Sequence, residues 1–154
     1  MNRESLLDSA AHLQQPSVEA AAEFAAQSMR LAEEVNRVMA GRPDVLRLVG
    51  EDNLAMMYDN HRNHARFMAS LFQGYEPQVL VETVLWVFRA YLAHGFSLAY
   101  WPAQLDTWVE LFRTELSEET FADISPFYHW LIIHQPQFVA LAEGQKPEEP
   151  EPAH

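Results

Sequence analysis

Cysteine is absent from this 154-residue chain. Disulfides, Cys-ligated zinc or iron–sulfur centres and thiol catalysis are excluded with it. Lysine occurs once, at Lys146. Schiff-base chemistry and a phosphate-loop lysine are thereby removed from the body of the chain. Glycine is scarce, at five residues, and neither a glycine-rich phosphate loop nor a Gly-x-Ser-x-Gly turn is present. No apolar run reaches the roughly 18 residues of a membrane-spanning helix. The longest, Val79 to Ala93, is interrupted by Glu82 and Arg89. Met1 to Gln15 carries Arg3, Glu4 and Asp8 and lacks the apolar stretch of a secretory leader, so a cytoplasmic location is expected. Basic residues are in deficit, 10 against 22 acidic ones, for a formal charge of −12. Nucleic acid and anionic membranes both require a basic footprint, so neither is expected as a partner.

What is present is helical pattern. The chain is 49% hydrophobic, and its apolar residues recur at helical spacing with no useful period-2 strand. Gly41, Gly74, Gly95 and Gly144 fall at helix stops. The expected fold is all-α, a single domain of six to seven helices. Residues 1–16 form a short helix ended by Pro16, residues 17–144 the globular body, and residues 145–154 a disordered acidic tail with three prolines and three glutamates. Ser17 caps a helix from Val18 to about Ala40 with the seam Phe24, Leu31, Val35 and Val38. A short turn over Val45 to Val49 ends at Gly50. A long helix from about Asp52 to Phe72 carries the seam Leu54, Met57, His61, His64, Met68 and Leu71. The next helix, from Pro77 to about His94, is apolar nearly all round and is expected to be the central one. A further helix follows from Pro102 to Leu116. The last region, Glu118 to Glu143, is expected to break near Pro126 and to kink near Pro136.

Seven histidines are the most informative residues. His61 and His64 are three apart and share the inward face of their helix. His94 projects with Tyr91, Val87 and Thr83, about 140° from Arg89, which places it inward. His134 lies near the seam of the last helix. Neutral imidazoles on several inward faces can ligate a metal or a haem iron. Equally, a buried histidine is commonly a core residue whose ring nitrogens are satisfied by neighbours. Neither Glu-x-x-His nor His-Glu-x-x-His occurs, which argues against a di-iron bundle and a zincin. A mononuclear site from His61, His64, His94 and His134 stays open. Glu82 is the one acid on the mostly apolar helix, and a polar stripe or ion pair with Arg89 accounts for it. Catalysis therefore ranks below binding.

The order of elements resembles that of the globin-like superfamily. A short helical turn follows the second helix, a long helix carries the inward His64, and His94 ends the next helix thirty residues later. Two helical regions follow a short loop. The resemblance covers residues 18–142 and implies a haem pocket, with His94 as the proximal ligand and His64 on the distal side. It departs from the globin pattern in having no aromatic residue between Gly41 and Glu51. His61, Met57, Met68, Tyr91 and Val87 would line the cofactor, and His94 and His64 would be the metal-ligating pair.

Three functions are carried forward. The first is a small soluble sensory or ligand-binding module with a His-containing buried pocket, with haem as its candidate cofactor. The second is a cofactor-free regulatory or protein-interaction domain, homodimeric in one form, with Phe96, Tyr100 and Trp101 of the Gly95–Pro102 loop as anchors. The third is the mononuclear His-rich metal centre.

Overall fold

The computed structural model describes residues 2–144, so the acidic tail expected over 145–154 lies outside the described residues. The chain is all-helical, and no strand occurs among the described residues. Among the described residues eight helices follow one another: α1 (Arg3–Ala10), α2 (Val18–Ala40), α3 (Val45–Val49), α4 (Leu54–Gln73), α5 (Pro77–Ala93), α6 (Tyr100–Glu115), α7 (Glu118–Ile133) and α8 (Gln135–Glu143). The count exceeds the six to seven expected because the Val45–Val49 turn is a helix in its own right and the last region divides in two.

That division is not at Pro126. Helix α7 runs through Pro126 and stops at His134, and Pro136 sits in the first turn of α8. A proline inside a helix leaves the carbonyl four residues earlier without its partner. Here both Pro126 and Ala122 are exposed, so water can serve that carbonyl. Pro136 costs nothing, because the first-turn N–H groups of a helix have no partners in the helix.

The helix starts follow local chemistry. Ser17 and Ser117 each accept a hydrogen bond from the backbone N–H three residues on, Ala20 and Thr120. Glu23 of α2 reinforces the second start. Its carboxylate accepts from the Ser117 backbone N–H at 2.9 Å, the Ser117 hydroxyl at 2.8 Å and the Thr120 hydroxyl at 2.6 Å. These donors hold the Glu23 carboxyl below its ordinary range, the Thr120 hydroxyl contributing most.

Helix α2, not α5, is the hub. It packs against α4, α6 and α7, whereas α5 lies between α1 and α8. Alanines at 20, 21 and 32 keep the α2 surface low, and Phe24 reaches the centre. The Phe24 ring meets Phe72 of α4 and Phe112 of α6 edge-on, at centroid distances of 4.9 and 5.7 Å. Helix α5 is apolar on several sides because it touches α1, α8 and the interior; Val79, on its outer side, stays exposed. Among the described residues no helix is long and apolar enough to cross a membrane.

Candidate functional site

With α4 held on α2, and α5 held on α1 and α8, the middle of α4 and the middle of α5 do not close on each other. Between them, capped by α6 and by Leu131 of α7, lies a cavity of about 40 Å³. His64 and Met68 of α4 and Val87 of α5 line it, as the shared inward face of each helix requires. Asn60 from α4, Thr83 from α5, and Gln104 and Trp101 from α6 supply its polar groups. Its remaining wall is apolar, including Phe67, Phe88 and Leu105.

The polar groups are deeply buried. Asn60 and Thr83 are 2% exposed, and Gln104 and Trp101 3%. Asn60 donates through Nδ2 to the Tyr100 hydroxyl at 2.7 Å. Gln104 accepts through Oε1 from the Trp108 indole at 3.0 Å. His64 is held through Nε2 by the Tyr128 hydroxyl at 2.7 Å, with the Trp108 ring 5.0 Å away. The Trp101 indole N–H has no hydrogen-bond partner among the described residues.

Beside the cavity, His61 belongs to a closed polar chain. Asn36 uses Nδ2 on Glu33, so its Oδ1 accepts from His61 Nδ1–H at 2.6 Å. His61 Nε2 then accepts from the Tyr100 hydroxyl at 2.8 Å, and the Tyr100 oxygen accepts from Asn60. Burial, with Arg62 adding to it, pushes the His61 pKa down to about 3. Burial likewise raises the Tyr100 phenol well above its ordinary range. Both rings are therefore neutral. Arg62, on the Glu33 carboxylate at 2.8 Å, closes the solvent end of the chain.

The structure separates the residues that the sequence groups together. His64, Met68 and Val87 meet at the cavity, whereas Met57 is buried elsewhere in the core and His61 is spent on Asn36 and Tyr100. His94 is exposed, contrary to the inward projection. Helix α5 ends at Ala93, and His94 caps it at φ −90°, ψ 4°, where the 100° rotation per residue no longer holds. Tyr91 is in the α5 corner. The Phe96 N–H returns to the Tyr91 carbonyl and the Gly95 N–H to the Leu92 carbonyl, with the Tyr91 and Phe96 rings 5.0 Å apart. His134 joins α7 to α8, and its Nε2 lies 3.2 Å from the Ser9 hydroxyl.

These placements do not fit a haem. The implied proximal ligand His94 faces solvent, His64 is engaged by Tyr128, and the space is far below the ~300–1,000 Å³ of pockets that enclose drug-sized ligands. Nor do the four inward-projected histidines converge. Among the described residues no group of three or more His, Cys, Asp or Glu is placed to hold a metal ion.

The expected interaction anchors are corrected too. Phe96 and Trp101 are 3% exposed and Tyr100 is fully buried, so all three are core residues. Helix α6 begins at Tyr100, earlier than Pro102, and turns the aromatic pair inward. Trp101 stacks on Phe88 at 4.4 Å. Leu98 is the exposed apolar residue of that loop.

Asn60 and Gln104 are the site residues that sequence reading does not single out. Asn60 stands four residues before His64, which that reading does single out, and so shares its face; Gln104 stands likewise four residues before Trp108. The fold and site thus define an all-helical protein with a small, mainly apolar cavity that carries a few polar groups. Comparison with family models, curated proteins and solved structures finds no match to this chain.

Proposed function

We propose that the protein is a small sensory or ligand-binding module whose ligand occupies the cavity between α4, α5, α6 and α7. The observation that carries this reading is the lining: polar side chains from three helices share the wall of one largely apolar cavity of about 40 Å³. Buried polar groups are ordinarily satisfied, whereas the Trp101 indole N–H here has no partner among the described residues. The globin-like part of the reading rests on the order of elements alone, with the short α3 after α2 and His64 on the long α4. The exposed position of His94 argues for a module that does not use haem.

A fragment screen by ligand-observed NMR on the full chain tests the reading. Val87→Phe, which fills the cavity, is the control. Small fragments are expected to compete for one site and to lose binding at least tenfold in the variant. Fragments that bind the variant as well as the parent protein, or no binding at all, would overturn it. A Soret band in the purified protein would replace this reading with a haem-based one.

A further inference from the structure

We infer that the cavity ligand is a small uncharged carboxamide; this rests on the ligand-binding reading above. Four side chains set its chemistry. The indole N–H of Trp101 lacks an acceptor. Gln104 spends only its Oε1, on Trp108, leaving its amide N–H groups. Asn60 spends only its Nδ2, on Tyr100, leaving its Oδ1. Thr83, 2% exposed, brings a hydroxyl to the lining from α5. The lining residues thus carry spare donors on α6, a spare acceptor on α4 and a hydroxyl on α5. The complement is a molecule with a carbonyl oxygen and an N–H on neighbouring atoms.

Size and charge narrow it further. A single buried water needs about 10–15 Å³ by this measure and about 30 Å³ of liquid. The observed 40 Å³ is therefore room for on the order of three waters, or one molecule of about four non-hydrogen atoms. No Asp, Glu, Lys or Arg lines the space. An ion entering it would lose its hydration with no opposite full charge from those residues to offset the loss. Met68, Val87 and Leu105 present an apolar wall suited to a methyl group. A primary amide carrying one methyl meets each of these demands, with its oxygen toward Gln104 and Trp101 and its two N–H groups toward Asn60 and the Thr83 hydroxyl.

The test uses the full chain with ¹⁵N-labelled tryptophan, so that each of the four indole N–H groups reports separately. Three probes are compared: acetamide, acetate of nearly the same shape but charged, and xenon as an apolar guest. Acetamide is expected to shift the Trp101 indole resonance saturably, and acetate to leave it in place. Thr83→Val keeps the side-chain shape and removes the hydroxyl; it is expected to weaken acetamide at least threefold and to leave the xenon response unchanged. Equal binding of acetate, or an unchanged acetamide affinity in Thr83→Val, overturns the carboxamide assignment. If xenon enters and acetamide does not, the carboxamide class fails while the ligand pocket stands. If neither enters, both fail.

Discussion

Burial holds His61 neutral, with a pKa of about 3 in place of the ordinary 6.5. The consequence for stability has a definite sign. Below about pH 6.5 the unfolded chain takes up a proton at this residue and the folded chain does not, until the pH nears 3. Stability is therefore complete above pH 6.5 and falls as the pH drops from there, by up to ~1.4 kcal/mol per pH unit for one proton. The depressed carboxylates Glu23, Glu33 and Asp44 lose their contributions only below their ordinary 4.5 and 3.8. The window between about pH 6.5 and 5 thus isolates histidine, with part-buried His134 acting in the same direction. Urea unfolding at half-unit pH steps is expected to show this slope. His61→Gln, which can still donate to Asn36, is expected to flatten most of it, and His134→Gln only a smaller share. An unchanged slope in His61→Gln would show that His61 is not the neutral residue responsible. The sequence shows that His61 faces inward; that its ring is satisfied by Asn36 and Tyr100 depends on residues 25 and 39 positions away.

At the scale of elements, the α5–α6 corner shows how a local rule decides where a side chain goes. Gly95 adopts φ +95°, a conformation that residues with a Cβ reach only with strain. It lets the chain reverse, returns Phe96 onto Tyr91, and leaves His94 outside. A Cβ at Gly95 would meet nothing within 4 Å, so substitution carries the backbone cost alone. Gly95→Ala is expected to lower stability by about 1 kcal/mol with an unchanged denaturant slope, as checked by equilibrium unfolding. Helix boundaries were largely legible from the sequence, because serine caps, Pro77 and the glycines act within a few residues. The passage of α7 through Pro126 was not, since it depends on which side of the helix meets solvent. Nor was the exposure of His94, which lies one residue beyond the last helical turn.

Across the whole molecule, α2 organises the packing through Phe24, which joins α4 and α6 at one point. Phe24→Ala is expected to cost about 3–5 kcal/mol, measured by urea denaturation. That is a large part of the ~5–15 kcal/mol that holds a domain folded. A cost below about 1 kcal/mol would show that α2 is not the hub. The cavity has its origin at this scale as well. It exists because α4 and α5 have different main partners, α2 for one and α1 with α8 for the other.

The sequence by itself determined the helical class, most helix limits, the excess of negative charge and the inward faces that carry His61, His64, Met68 and Val87. Each of these follows from composition or from a period of about 3.6 residues, and both are local properties of the chain. Only the tertiary structure decided which inward faces meet. It sent His61 to a closed polar chain, His64 to Tyr128 and the cavity, and Phe96, Tyr100 and Trp101 into the core. Periodicity assigns a side chain to a face of its own helix. The partner of that face is set by how the described helices share the interior, and side chains from several of them must converge before a cavity exists.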